Sequence, residues 1–375
     1  MVRLSDQGSP AYRVERCDWE GSGDRSTMTD TTDGLEGLTW RQIMSIVSEG
    51  NDLTRGQATW AMTQILEGTS PDTVIAGLIV ALRIKGETVE EMTGMVTAML
   101  ERASTVAVSD DTIDIVGTGG SPHRRNHALN VSTMATILAG AAGAKVCKHG
   151  NRKASSTSGS FDFLDALGIT GEIGVDQLAK MMDKTGVGFA FARMLHPAMR
   201  FAGPARIELG IPTVFNILGP LANPCRVRRQ LVGTPQPSIA AKMAAVLQNL
   251  GSIKSWVVSG NDGLDELSIT GPSTVFEVSP DRITEFQISP ADAGLPQAAS
   301  LDDIVGGDAE ANVRIFSEIL SGAETGPKRD IVVMNAAAGL IVAGLTDRLE
   351  SGVEEILNVI EDGRGAAKLA ELAAF

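Results

Sequence analysis

Two short apolar runs, each cut off by a polar, glycine-bearing loop, constrain this chain more than any other feature. Ile113 to Val116 stops at Gly117-Thr118-Gly119-Gly120, and Ala144 to Cys147 stops at Lys148-His149-Gly150-Asn151-Arg152 and a serine cluster. Between them, Asn130-Val131-Ser132-Thr133 opens an alanine-rich run that ends at Gly143. Strand, loop, helix and strand in that order belong to a mostly parallel sheet with helices on its faces. Ligands bind beyond the carboxyl ends of such strands, where both loops fall. Glycines allow positive φ and close backbone approach, and exposed N–H groups in such turns make a concavity for oxyanions. A following helix start adds unpaired donors and partial positive charge. Lys148 and Arg152 bring full charges, and Ser155, Ser156 and Ser160 bring hydroxyl donors, so the expected guest is phosphorylated. The glycine run alone is a weak signal. It lacks a following G-K-[ST], does not fit G-x-G-x-x-G, and is equally the form of a plain strand-to-helix turn. The two loops together are far more specific.

Ahead of this core, residues 1–36 are rich in Ser, Asp, Thr, Gly and Arg without periodicity, and read as a disordered tail within which Met28 is an alternative initiator. From Leu38 to Ala103 the pattern is helical four times. Thr39 with Gln42, Thr54 with Gln57 and Thr88 with Glu91 form capping boxes. Ser70-Pro71 reads as an N-cap with proline at the first helical position, and Gly68 and Gly86 read as stops. These helices make a compact antiparallel unit. Further strands are expected at Val187 to Phe191, Leu231 to Val232 and Lys254 to Ser259. Helices follow at Asn312 to Leu320, Val333 to Leu345, Val353 to Ile360 and near Leu369. The glycines and prolines between His196 and Pro224 mark a tightly turned connection. Asp265-Glu266, just after a strand, is a candidate Mg²⁺ site, because Mg²⁺ takes oxygen ligands and keeps waters and substrate phosphates, but by itself such a pair is more often a solvated acidic loop.

A formal net charge of −14 argues against nucleic acid and anionic membrane as partners, since both attract positive fields. The apolar run from Ile331 to Leu345 is too short to span a bilayer. Cys17, Cys147 and Cys225 are few, odd in number and far apart, as expected of a reducing cytoplasm without structural disulfides. His123, His127, His149 and His196 have no zinc-type spacing.

With these motifs in order, the chain resembles the anthranilate phosphoribosyltransferases over about residues 36–365. The resemblance is carried by Gly117 to Gly120, Asn130 to Thr133, Lys148 to Arg152, Ser155-Ser156, Ser158-Gly159-Ser160, Phe215 to Pro224 and Asp265-Glu266. It implies an α/β fold of the nucleoside phosphorylase and phosphoribosyltransferase type. A small helical domain (37–106), completed by a helical segment near 196–210, would join a large domain (107–375) with a mostly parallel central sheet. It implies transfer of the phosphoribosyl group of 5-phosphoribosyl 1-diphosphate (PRPP) to anthranilate, with Mg²⁺, in tryptophan biosynthesis. Gly117 and Gly120 would face ribose and diphosphate. Asn130, Val131, Ser132 and Thr133 would bind phosphate, with Ser132, Asp265 and Glu266 at Mg²⁺. Lys148, Gly150, Arg152, Ser155, Ser156 and Ser160 would hold PRPP, and Asn151 both substrates. Arg206 would meet the anthranilate carboxylate. His149 and His196 would line the acceptor's path, with His149, Asn151 and Arg206 closest to the chemistry. The resemblance also implies a homodimer and brings a complex with anthranilate synthase into view.

The chain departs from the family where it meets the diphosphate. Ser121 replaces an aspartate, and the loop to Asn130 is longer and carries His123, Arg124 and Arg125. Ala128, Thr157 and Leu195 replace a threonine, a lysine and a histidine that are frequent in the family. Three rival readings follow: another aromatic amine as acceptor, a pyrimidine-nucleoside phosphorylase, and a non-catalytic relative that binds nucleic acid.

Overall fold

The computed structural model describes residues 37–119, 121, 129–152 and 158–375. The expected tail, residues 1–36, lies outside the described residues. Four helices come first: α1 (Trp40–Ser48), α2 (Arg55–Leu66), α3 (Asp72–Lys85) and α4 (Val89–Glu101). Thr39, Thr54 and Thr88 cap three of them, with Gln42, Gln57 and Glu91 reaching back. The start of α3 corrects the sequence reading by one residue. Pro71 is itself the extended N-cap, and its carbonyl accepts from Val74 and Ile75, while the Ser70 hydroxyl is buried without a partner. Glu91 does more than cap α4. Fully buried, it accepts the Leu53 N–H at 2.8 Å and pairs with Lys85 at 3.0 Å, tying α4 to the loop before α2 and to the end of α3.

The chain continues through β1 (Ile113–Gly117), α5 (Val131–Ala141), β2 (Val146–Gly150), α6 (Ser160–Ala166), α7 (Val175–Thr185), β3 (Val187–Phe191) and α8 (Ala192–Leu195). A 3-10 turn (Pro197–Ala202), α9 (Gly203–Leu209) and α10 (Val214–Leu221) lead to β4 (Arg229–Gly233), α11 (Pro237–Asn249) and β5 (Lys254–Gly260). Then come β6 (Ser273–Val278), β7 (Ile283–Ile288), α12 (Ala309–Leu320), α13 (Pro327–Ala343), α14 (Leu349–Glu361) and α15 (Arg364–Ala373). The strands form one sheet in the order β3-β2-β1-β4-β5-β6-β7. It is parallel from β3 to β5, and β6 and β7 close it antiparallel.

Two further expectations needed correction. β6 and β7 were not foreseen: β7 is a half-exposed edge strand with polar residues in its alternation, which apolar runs do not reveal. And β2 is later than the apolar run suggested, starting at Val146 and carrying Lys148, His149 and Gly150 as strand, not loop, residues. Polarity there does not mean exposure, because Lys148 and His149 are 2% and 5% exposed.

Two buried clusters flank the sheet. One packs α5, α6, α7 and α12 to α15 against one face, with Phe161, Phe163, Phe189 and Phe316 among its largest members. The other runs from α1–α4 through α9, α10 and α11 to Val232, Val257 and Phe276 on the sheet. The helical unit therefore shares its core with one face of the sheet, and α10 lies within that shared core.

Candidate active site

Strand order reverses between β1 and β4, the topological switch point where a crevice opens beyond the carboxyl ends. Asp265 fills the rim of that crevice. A Cβ on Gly117, at the end of β1, would stand 2.6 Å from Asp265 Oδ2, and one on Gly233, at the end of β4, 1.7 Å from the Asp265 carbonyl oxygen. The glycine run after β1 is shaped by the same residue: Gly119, at φ +63°, donates its N–H to Asp265 Oδ2 at 2.8 Å. A strand end, a turn and a carboxylate 146 residues further on thus form one object. Gly233→Ala should destabilise the protein by about 3 kcal/mol, since the neighbour is backbone and cannot swing away. A urea unfolding midpoint equal to that of the parent would contradict this packing.

β2 carries the two chemistry-bearing side chains on opposite faces, as strand geometry requires. The Lys148 ammonium donates to the Ile115 carbonyl and, at 3.1 Å, to the Ser132 hydroxyl in the first turn of α5. Burial pulls its pKa down to about 8, against the carboxylates of Asp114, Glu266 and Asp265. Lys148 is therefore not the free loop cation expected from sequence but a buried charge under the start of α5. Asp114 on β1 is its buried counterpart. Burial pushes Asp114 up to about 6, while the Lys148 charge and hydrogen bonds from Asn223 and His149 hold it down. Both groups are predominantly ionised near neutral pH.

On the other face of β2, the His149 and His196 rings lie 5.6 Å apart. His196 Nε2 sits 2.8 Å from the Ala222 carbonyl, just past α10, while His149 Nε2 is buried without a partner. Burial, with the neighbouring His196 and Lys148, pushes His149 down to about 3, so its ring is neutral across the physiological range. His149 thus offers a neutral acceptor atom. At the start of α10, the Arg206 guanidinium lies 5.0 Å over the Phe215 ring. Burial lowers its pKa, and among the described residues it has no carboxylate partner. Phe215 and Ala222 are separated along α10 by about 10 Å at 1.5 Å per residue, so the guanidinium and the imidazole stand near opposite ends of that helix.

Several expected ligands are occupied elsewhere. The Arg152 guanidinium pairs with Asp165 and Glu172, each at 2.6 Å, and approaches Asp162 and the Phe191 ring, so it anchors its loop instead of offering a free charge. Ser160 Oγ donates to the Asn151 carbonyl at 3.0 Å and accepts the Asn151 N–H, in the space left by the missing side chain of Gly150. The Asn130 carboxamide oxygen accepts from Ser158 and Asn312, so Asn130 braces α5 and α12. The Val131 N–H goes to the Leu129 carbonyl. Other candidates stay open to a ligand. Asn151 is exposed, and among the described residues only Oδ1 of its side chain is engaged, by the Arg152 N–H. Ser121 Oγ is buried without a partner, and the Thr133 side chain is buried in the first turn of α5. Gly120, Ser155 and Ser156, and the positions Arg124, Arg125, Ala128 and Thr157, lie outside the described residues.

The donor set suits Mg²⁺. Among the described residues no cluster of three or more His, Cys, Asp or Glu could cage a metal. Asp265, Glu266 and the Ser132 hydroxyl are hard oxygen donors that leave coordination to water and phosphate, which is how Mg²⁺ is usually held. Asp114 and Asn223 were missed as site residues, although Asn223 stands in the Phe215 to Pro224 run that sequence reading singled out. Its carboxamide donates to Asp114 Oδ2 and to the Cys147 carbonyl, both at 2.8 Å. The widely spaced Cys147 and Cys225 come within 3.1 Å of each other as free buried thiols.

Comparison with known proteins agrees with this layout. Residues 41–103 match the helical bundle domain of the glycosyl transferase family and residues 109–366 its a/b domain. The chain is 44% identical to an anthranilate phosphoribosyltransferase of Rhodococcus jostii (strain RHA1), over 92% of this chain and 96% of that one. The crystal structure of anthranilate phosphoribosyltransferase from Thermus thermophilus superposes with a TM-score of 0.82 at 37% identity, covering 88% of this chain and 98% of that one. That of the Saccharomyces cerevisiae enzyme, in complex with PRPP and Mg, gives 0.80 at 27% identity, covering 90% and 98%.

Proposed function

The chain belongs to the anthranilate phosphoribosyltransferase family, and from that premise we propose how its residues divide the reaction among them. The enzyme moves the phosphoribosyl group of PRPP onto the amine of anthranilate, giving N-(5-phosphoribosyl)anthranilate and diphosphate, in tryptophan biosynthesis. The observation that carries our assignment is the opposed pair on β2. Lys148 faces the start of α5 and the carboxylates at the sheet's rim, and His149 faces His196 and α10.

Breaking the bond from C1 to diphosphate leaves positive charge on the ribose and negative charge on the leaving group. The Lys148 ammonium and the positive end of α5 face that negative charge, fixed in advance and shielded from water. Asp265, Glu266 and Ser132 would hold Mg²⁺, which when bound neutralises charge on the departing diphosphate. Asn151 spans the two substrates with its free amide N–H groups. Arg206 takes the anthranilate carboxylate with its planar fork. The aryl amine is neutral and attacks without prior deprotonation, so alignment supplies much of the rate. His149 accepts a hydrogen bond from the amine through its unpartnered Nε2. Loss of anthranilate fluorescence on adding PRPP, Mg²⁺ and purified protein tests the assignment, and undiminished fluorescence would refute it.

Residues 37–106 with the segment near 196–210 act as the helical domain, and 107–375 as the PRPP-binding domain. The protein works as a homodimer. Ile84 and Ile207 are 82% and 81% exposed on α3 and α9, which pack together, beside an apolar groove lined by Met44, Val47, Ala76 and Leu209. A second copy covers this patch, because so much contiguous apolar surface on water is unfavourable. Ile84→Asp with Ile207→Asp should weaken dimerisation by about 100-fold or more, as two apolar anchors are replaced by facing charges. A dimer mass for that variant in light scattering at micromolar concentration would exclude this interface. The free buried thiols suit the cytoplasm. Anthranilate synthase, which makes the acceptor, is the partner we expect for a larger complex.

A further inference from the structure

The neighbouring strands β1 and β2 are registered at one position only, Ile113 opposite Val146, whereas β1 with β4 and β2 with β3 are each registered at five. Continued from that rung, a parallel ladder would next join the Ile115 N–H to the Cys147 carbonyl and the His149 N–H to the Ile115 carbonyl. Side chains take those places instead. The Cys147 carbonyl accepts from Asn223 Nδ2 at 2.8 Å, and the His149 N–H goes to Asp114 Oδ1 at 3.0 Å. The Ile115 carbonyl accepts from the Lys148 ammonium. Asp114 Oδ2 and Asn223 Nδ2, themselves 2.8 Å apart, join the two substitutions, and Asn223 Oδ1 is fixed in turn by the Cys225 N–H at 2.9 Å. All of this is buried, with Asp114 at 0% and Asn223 at 2% exposure.

We propose that Asp114 and Asn223 are positioning residues for phosphoribosyl transfer: their bridge across the parted ends of β1 and β2 sets where the Lys148 ammonium and the His149 ring stand. Without it, the polar backbone groups of the gap would be unpaired, and the strands would gain by closing onto each other. Closure would take the Ile115 carbonyl from Lys148 and give it to the His149 N–H. The ammonium would then lose one of the two partners that hold it beside Ser132, and the ring would move with its backbone. The gap is thus a built feature, held by side chains from two distant segments. This proposal rests on the assignment of Lys148 and His149 to the PRPP and acceptor sides.

A reciprocal swap tests it. Asp114→Asn sets a donor against the Asn223 donor, and Asn223→Asp sets carboxylate against carboxylate. The double variant Asp114→Asn with Asn223→Asp restores one donor facing one acceptor between the two side chains and the same net charge, but leaves the Cys147 carbonyl facing a carboxylate in place of its amide donor. PRPP affinity is measured by calorimetry with Mg²⁺, beside kcat and melting temperature, with Lys148→Ala in parallel. Each single variant should raise the PRPP Kd by about tenfold, and the double variant should recover only the part of that loss that comes from the contact between the two side chains. Should Asn223→Asp fail to fold, Asn223→Ala takes its place in the comparison of single variants. Parental PRPP affinity in both single variants, or a lowered melting temperature with affinity unchanged in the folded protein, would overturn the proposal. If Lys148→Ala loses PRPP and the single variants keep it, the positioning role alone falls. If Lys148→Ala binds PRPP as the parent does, the site assignment falls with it.

Discussion

Asp265→Ala is expected to reduce kcat by about 10³-fold, because it removes a carboxylate placed to anchor the metal that neutralises the departing diphosphate. The residue has two separable duties. Its carboxylate accepts the Gly119 N–H and so shapes the turn after β1, and with Glu266 it offers oxygens at the crevice between β1 and β4. Asp265→Asn distinguishes them. The amide keeps an oxygen for Gly119 but loses the charge, so the turn should persist while metal dependence weakens. We expect Asp265→Asn to need far more Mg²⁺ for half-maximal rate and to melt close to the parent. Asp265→Ala should fall in both activity and melting temperature. Retention of a tenth of parental turnover by Asp265→Ala at saturating Mg²⁺ would remove this residue from the metal's ligands.

Arg206→Ala should raise the anthranilate KM by about 100-fold, the loss of roughly 2–3 kcal/mol expected when a charge-assisted pair with carboxylate is removed. The guanidinium is half-buried against Phe215 and, among the described residues, has no carboxylate of its own, so it awaits one from outside the chain. The PRPP KM should change little, since Lys148 and the start of α5 lie at the other end of the layout. Arg206→Lys should recover only part of the affinity, because a single ammonium cannot reproduce the planar fork or its stacking on the ring. An unchanged anthranilate KM in Arg206→Ala would show that the acceptor enters elsewhere.

Much of the fold is legible in the sequence. The capping boxes at Thr39, Thr54 and Thr88 place three helix starts to the residue, because a cap depends only on atoms three positions apart. Val187–Phe191 is placed at both ends, because it is continuously apolar and flanked by a left-handed glycine, Gly186. Misreadings arise where polarity is taken for exposure. Lys148 and His149 lie in a strand because Ile115 and Ser132 hold the Lys148 ammonium within the protein and Asp114 accepts the His149 backbone N–H. Arg152 counts as a ligand in the sequence because its charge is visible there, but Asp165 and Glu172 already hold it.

The order of helices and strands, the glycines that admit a close neighbour, and the types of side chain near the loops were set within a few residues of one another. Local sequence alone determined them. Which partner each polar atom takes was decided only by the tertiary structure. Gly119 meets a carboxylate 146 positions away, and Asp114 meets an amide 109 positions away. The physical reason is that a hydrogen bond is chosen by proximity after the chain has closed its loops. No spacing along the sequence encodes the gap between β1 and β2 in which those choices are made.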